Sequence, residues 1–166
     1  MKLVIATLIT IARIATGISF AVIILAVLFQ LAGRSGLTDA VVWTEELTRF
    51  ALLFLAAFGV GLSYRSGNLV NVDIVMDLLP ARLAWALRLI CAVITFGFGV
   101  VLIKSTLLYL SIGARQTAPS LGIRMDVIHA SVMVALISLS LFAALRVIEM
   151  LIGVSDGTPD RLSEDY

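Results

Sequence analysis

Long apolar runs separated by short polar segments are the dominant pattern along the chain. Four such runs are visible, at about residues 14–33, 46–64, 86–112 and 127–150. Each comes close to or exceeds the roughly 20 residues that a helix needs to cross the hydrocarbon core of a bilayer. The pattern therefore predicts an all-α integral membrane protein with four transmembrane helices.

The apolar stretch around the third run is longer than a single perpendicular crossing requires. As one helix, residues 81–112 would be about 48 Å long, against a hydrocarbon core of roughly 30 Å. Either the helix is strongly tilted or its first turns lie along the membrane surface. Arg82 and Arg88 favour the second arrangement, because both side chains can reach lipid head groups.

A short amphipathic interfacial segment is accordingly predicted between the second and third helices, at about residues 68–85. Asp73 and Asp77 are four residues apart, so a helix places both carboxylates on one narrow polar stripe above an apolar face. The residues predicted to anchor this region at the lipid head groups are Arg65, Asp73, Asp77, Arg82, Trp85 and Arg88.

The domain organisation follows from these elements. Residues 1–152 form a four-helix transmembrane domain, and residues 153–166 form a polar cytoplasmic tail whose acidic composition predicts disorder. The loop at 113–124 contains Pro119 and Gly122 and is expected to be irregular. The first apolar run is too long for the usual 7–15-residue core of a signal peptide, so we interpret it as an uncleaved helix.

Basic residues near the ends of the helices predict the orientation, because cytoplasmic flanks are enriched in Lys and Arg. With the N-terminus in the cytoplasm, that side carries seven basic residues and the opposite side four. The seven are Lys2, Arg13, Arg65, Arg82, Arg88, Arg146 and Arg161; the four are Arg34, Arg49, Arg115 and Arg124. We therefore predict that both termini are cytoplasmic.

The composition is typical of a membrane protein and argues against several classes of function. Of the 166 residues, 61% are hydrophobic and 14% charged, and the mean hydropathy is +1.11, whereas a soluble domain has about 25% charged residues. Cys91 is the only cysteine and His129 the only histidine. These counts argue against thiol-based quinone-linked oxidases and against His-rich metal or haem sites. No catalytic motif is present, so the chain is predicted not to be an enzyme, and nothing indicates a nucleic-acid partner.

The stretch from Trp43 to Pro80 contains the features that hydrophobicity alone leaves unexplained. Only 15 uncharged residues separate Arg49 from Arg65, so a helix crossing there draws the charged group Glu45, Glu46 and Arg49 into the interfacial zone. The spacing allows ion pairs between Arg49 and either glutamate.

Small side chains continue the face of this charged group, which is typical of a surface that packs on protein rather than on lipid. Three interpretations remain open: docking of a partner subunit, a cation-coupled transport site, or an interfacial helix cap. The residues predicted for a partner interface are Glu45, Glu46, Arg49, Leu53, Ala56, Ala57 and Val60.

Other polar residues in the apolar runs have simpler interpretations. Lys104 is close enough to a helix end to extend its ammonium group to the interface. His129 is expected to be a hydrogen-bonded interfacial histidine, and the three-residue spacing of Arg146 and Glu149 predicts a boundary ion pair. Gly59, Gly61, Gly97 and Gly99 would permit close approach of neighbouring helices.

The central stretch also resembles a known family. It combines WTEELTRF, an apolar run with FGVG, and RSGNLVNVDIVMDLLP, and is similar to the small membrane subunit, of the DctQ type, of tripartite ATP-independent periplasmic (TRAP) transporters. The matching positions are Glu45, Glu46, Arg49, Gly59, Arg65, Gly67, Val72, Asp73, Leu79 and Pro80, with Ala118-Pro119-Ser120-Leu121 in the last outer loop. One departure is Leu69, where many members carry a histidine.

The resemblance implies a role in secondary active transport in the bacterial inner membrane. Such a subunit pairs with a large subunit of about twelve spans, which moves an organic acid together with Na⁺ by an elevator motion. A soluble periplasmic protein delivers the substrate. The small subunit is expected to be a static scaffold that binds no cofactor, with Na⁺ bound by the partner and lipids surrounding both.

Two other interpretations of the residues stay open. The chain could be a self-contained four-helix transporter or exporter that works as a homodimer, for which Glu45 and Glu46 would be the closest candidates for a membrane-embedded acid. It could also be the small subunit of another multipart carrier.

Overall fold

Four long α-helices account for most of the residues that the structure describes. The computed structural model describes residues 2–36, 42–67 and 79–158. The helices are α1 (Lys2–Arg34), α2 (Trp43–Ser66), α3 (Ala81–Gly113) and α4 (Met125–Leu151). All four are long and apolar enough to cross a membrane, which confirms the predicted fold class and makes the chain a multi-pass membrane protein.

The helices form a single row rather than a closed bundle. Within the described residues, α1 packs on α2, α2 on α4 and α4 on α3, and no other pair has more than a slight contact. The order in the row is therefore α1–α2–α4–α3. Large exposed apolar side chains are accordingly more numerous on the terminal helices α1 and α3 than on α2 and α4.

Small residues let neighbouring helices of the row approach one another. A Cβ atom added at Gly61 of α2 would lie 2.5 Å from Cδ2 of Phe142 on α4, and one added at Gly99 of α3 would lie 3.3 Å from Cβ of Ser140. No atom of the described residues lies within 4 Å of the corresponding positions at Gly59 and Gly97. Two of the four glycines thus have the predicted role at helix contacts, and the other two do not.

The helix ends follow local backbone chemistry. Gly67 ends α2 with φ = +80°, a left-handed conformation that suits glycine, and its N–H donates to the carbonyl of Tyr64. Pro80 precedes α3, and its carbonyl accepts hydrogen bonds from the N–H groups of Leu83 and Ala84, which starts the helix.

The structure corrects the predicted bounds of the interfacial segment. Residues 81–85 belong to α3, which is one uninterrupted helix, because no proline or glycine separates them from the apolar run that follows. The remaining part of that segment, including Asp73 and Asp77, lies outside the described residues. A position of these residues at the membrane surface stays a prediction.

The loop between α3 and α4 is more regular than expected. Thr117 and Arg124 form an isolated antiparallel bridge, and the Ala118 N–H donates to the carbonyl of Ile123 over 2.8 Å. Gly122 adopts φ = +65° at the turn between them. The loop therefore folds back on itself as a compact turn between the ends of the two helices.

Candidate functional site

The two glutamates at the start of α2 contact different parts of the protein. Glu46 lies beside the α3–α4 loop, where its Oε2 accepts hydrogen bonds from the backbone N–H groups of Ser120 at 3.0 Å and Leu121 at 2.8 Å. An ionised carboxylate strengthens such bonds. The side chain therefore fastens the loop to α2, a role that local spacing along α2 does not reveal.

Glu45 contacts α1 instead. Its Oε1 accepts a hydrogen bond from Nε2 of Gln30 over 3.1 Å and lies 3.7 Å from a guanidinium nitrogen of Arg34. Both charged side chains are more than half exposed, so the pair contributes little to stability by itself. The contact joins the C-terminal end of α1 to the N-terminal end of α2.

Arg49 forms neither of the ion pairs predicted from its spacing. Within the described part of the chain, both glutamates are directed to other partners, and Arg49 is exposed. It lies 16 positions from Arg65, which corresponds to about 24 Å along a helix and falls short of the roughly 30 Å hydrocarbon core. Its guanidinium group is thus an exposed cation, and its position near the membrane boundary stays a prediction.

An exposed stripe continues from Arg49 along α2. Its members recur at helical spacing and share one face: Glu45, Arg49, Leu52, Leu53 and Ala56. Leu52 is 56% exposed and Leu53 44%, whereas Ala57 is 2% exposed. We call these five residues the α2 stripe. Of the predicted interface residues, Ala57 packs inside the chain and Glu46 and Val60 are half-buried, so those three do not share the exposure of the stripe.

The opposite end of the helices is rich in arginine. Arg65 of α2 pairs with Glu149 of α4 at 3.6 Å, with both side chains mostly buried at 20% and 16% exposure. Arg146 of α4 lies over the ring of Tyr64, 5.5 Å from its centroid. The ion pair predicted between Arg146 and Glu149 is therefore wrong, because Glu149 is directed across the helix interface to Arg65.

The chain after α4 folds back against this end. Arg146 donates a hydrogen bond to the carbonyl of Gly157, and Arg88 of α3 donates one to the carbonyl of Asp156 over 3.4 Å. Gly157, with φ = +72°, is buried beside the Met150 side chain. The segment at 153–158 is thus held to the helices at the carbonyl groups of Asp156 and Gly157, although most of its residues are exposed. This part of the predicted disordered tail therefore has a defined position. Residues 159–166 lie outside the described ranges.

A shallow cleft opens between α2, α4 and this returning segment. It measures about 300 Å³ including its open mouth. Its lining combines Arg65 and Arg146 with Glu149 and the hydroxyl-bearing residues Tyr64, Ser155 and Thr158. The cleft is therefore mainly polar, unlike the apolar surfaces of the helices around it.

The remaining candidates lie on α3 and α4. His129 is buried, its ring stacks on Tyr109 with 3.8 Å between centroids, and its Nδ1 lies 3.2 Å from the Tyr109 carbonyl oxygen, which supports the predicted hydrogen-bonded histidine. Lys104 is exposed on α3. Arg82 and Trp85 are exposed on the first turns of α3, and Arg88 is half-buried. Their proposed contacts with head groups stay predictions.

Sequence reasoning missed the cleft and the loop contact for the same reason. Each joins residues that are far apart in the chain: 74 positions separate Glu46 from Ser120. Spacing within one helix carries no signal of such contacts. The glycines that bend the segment after α4, Gly153 and Gly157, were the available signal for a chain that turns back instead of extending.

Comparison with known proteins gives two matches. The sequence model of a family described as tripartite ATP-independent periplasmic transporters, DctQ component, matches residues 23–153. The chain is also 29% identical, over 85 residues, to the isethionate TRAP transporter permease protein DctMQ of Oleidesulfovibrio alaskensis. That alignment covers 49% of this chain and 13% of the relative, so the chain spans a small part of the relative's length.

Proposed function

The chain belongs to the DctQ family of tripartite ATP-independent periplasmic transporters, and from this premise we propose that it is a static scaffold that pairs with a large elevator-type subunit. The family match, which covers most of the transmembrane region, is the observation that carries this proposal. Membership of a transporter family also suggests that the chain is not an enzyme.

The row of helices supports a scaffold role. A closed bundle would hide its small and polar residues inside, but a single row leaves two broad faces exposed along the middle helices. Helix association in a membrane depends on close packing and polar contacts rather than on burial of apolar surface from water. A wide, thin row therefore offers a partner an extended face without requiring an internal binding site.

We place the contact with the large subunit on the α2 stripe. Ala56 allows close approach of a partner helix, and Leu52 and Leu53 supply apolar surface. Arg49 adds a cation near the membrane boundary, where an acidic group of the partner would stabilise it more than lipid tails could. Charge pairs of this kind fix the orientation of two subunits more than they raise affinity.

Transport itself is assigned to the other components. We propose that the large subunit binds Na⁺ and moves an organic acid, and that a periplasmic binding protein delivers it. The relative's name specifies isethionate; for this chain we propose only the broader class of organic acids. We propose that the complex lies in the bacterial inner membrane with both termini of this chain in the cytoplasm.

Copurification tests the pairing. The full chain carries an affinity tag and is coexpressed with the membrane proteins encoded beside its gene, followed by extraction in mild detergent. We expect a one-to-one complex with a protein of about twelve spans. Arg49→Ala should reduce the recovered partner and substrate uptake severalfold, without a change in which substrates are taken up.

Lys104→Ala is the matched control, since it removes an exposed cation from α3 instead of α2. Equal losses in both variants would contradict a specific role of the α2 stripe. A tagged chain that elutes as a homodimer and transports solute alone in liposomes would overturn the scaffold proposal in favour of a self-contained transporter.

A further inference from the structure

The cleft at the arginine-rich end has the composition of an anion site. Two guanidinium groups, from Arg65 and Arg146, and one carboxylate, from Glu149, line it, so these three side chains sum to one positive charge at neutral pH. The hydroxyl groups of Ser155 and Thr158 lie at the same cleft. Guanidinium and hydroxyl donors together are suited to phosphate oxygens.

The surrounding structure holds Arg146 in place before any ligand arrives. Its guanidinium lies over the Tyr64 ring and donates to the carbonyl of Gly157. A guanidinium has five N–H donors, and the contact with Gly157 uses only part of that capacity. A fixed donor loses less conformational entropy on binding than a mobile surface arginine.

The position of the cleft indicates the source of the phosphate group that it would bind. It lies where α2 and α4 end, at Ser66 and Leu151, and it is shallow and open at its mouth. A third arginine, Arg88, contacts the same returning segment and has a buried Nε without a hydrogen-bond partner among the described residues. Basic pockets between transmembrane helices at this depth suit the head groups of anionic lipids.

We propose that this cleft binds the phosphate of an anionic phospholipid head group, with Arg65 and Arg146 as the principal donors and the acyl chains remaining in the bilayer. The proposal depends on the chain spanning a membrane and not on its pairing with a larger subunit. Its failure would therefore leave the proposed transporter role intact, and failure of the pairing would leave the lipid site intact.

Native mass spectrometry of the purified full chain tests the proposal. The protein is titrated with phosphatidylglycerol, with phosphatidylcholine of the same acyl chains, and separately with inorganic phosphate. We expect retention of phosphatidylglycerol over phosphatidylcholine and no competition by inorganic phosphate at equal concentration. Arg146→Gln should weaken phosphatidylglycerol retention about tenfold, as expected for loss of a charge-assisted hydrogen bond, and Arg146→Lys should weaken it less.

Arg13→Gln is the control, because Arg13 is an exposed arginine of α1 that does not line the cleft. An equal loss of lipid in this variant would overturn the site in favour of general attraction by positive charge. Equal retention of both lipids by the unaltered protein would overturn it as well, and competition by inorganic phosphate would assign the cleft to a free anion. If Arg146→Gln fails to fold by circular dichroism, Arg65→Gln provides the same comparison, and unchanged retention there would contradict the proposal.

Discussion

Gly61 and Gly59 lie two positions apart on α2 but differ in their surroundings. A methyl group at Gly61 would overlap the Phe142 ring and the Ser138 hydroxyl of α4, whereas one at Gly59 would meet no described residue within 4 Å. Phe142 is itself part of the small buried cluster with Tyr64 and Ala143. The space at Gly61 is therefore a requirement of the α2–α4 contact, and the space at Gly59 is not.

We expect Gly61→Ala to destabilise the protein by about 1–3 kcal/mol, as is typical of overpacking at a tight contact. Gly59→Ala, its matched control, should be neutral or slightly stabilising, because alanine favours helix over glycine by about 1 kcal/mol. Thermal unfolding in detergent, followed by circular dichroism, measures both. Equal melting temperatures for the two variants would contradict the close packing of α2 on α4.

These two glycines show which contacts of single residues cannot be predicted from the sequence. A glycine in an apolar run indicates that a close contact is permitted, but its partner belongs to another helix. The same applies to Glu149, whose nearest basic neighbour along α4, Arg146, is not its ion-pair partner. Local spacing identifies residues able to interact, and the three-dimensional arrangement selects among them.

At the scale of elements, the hydropathy pattern was sufficient to predict the four helices but not the structure of the loops that connect them. The apolar runs exceed the length of a membrane crossing, so their identity as helices follows from the cost of unpaired backbone groups in lipid. The α3–α4 loop has no such constraint. Its own backbone hydrogen bonds fold it into a turn, and the carboxylate of Glu46, from an element much earlier in the chain, fastens that turn to α2.

Removal of that carboxylate should therefore loosen the loop without disrupting the helices. In Glu46→Ala, the N–H groups of Ser120 and Leu121 lose their acceptor, and we expect faster hydrogen exchange at both, equivalent to about 1–2 kcal/mol of lost protection. Glu45→Ala is the control, since Glu45 contacts α1. Hydrogen–deuterium exchange with mass spectrometry separates the two, and unchanged exchange at 120–121 in Glu46→Ala would contradict the contact.

At the scale of the whole molecule, the order α1–α2–α4–α3 was not predictable from the sequence. Four helices of similar hydropathy can pack in several arrangements, and short loops alone would favour neighbours in the chain. The deciding contacts are those of α4, whose Ser138 and Phe142 meet α2 and whose Ser140 meets α3. Serines in an apolar helix indicate a protein-facing side, but not how many neighbours it has.

An engineered disulfide tests this arrangement. A Cβ at Gly99 would lie 3.3 Å from Cβ of Ser140, near the roughly 3.5–4.5 Å that a disulfide spans. We expect Gly99→Cys with Ser140→Cys to cross-link α3 to α4 on mild oxidation, with Cys91→Ser removing the native thiol. Gly97→Cys with Ser140→Cys should remain uncross-linked, and mobility under non-reducing electrophoresis distinguishes them. Cross-linking of both pairs would argue against a defined α3–α4 contact.

The position of α4 also has a consequence for biosynthesis. The ribosome makes α4 after the other three described helices, yet in the row it lies between α2 and α3, which share at most a slight contact with each other. Until residues 125–151 emerge, none of the other described helices offers α3 an extensive packing surface. A nascent chain that stops before Met125 therefore presents α3 to the membrane without the helix on which it packs, and the row is completed only when α4 inserts between α2 and α3.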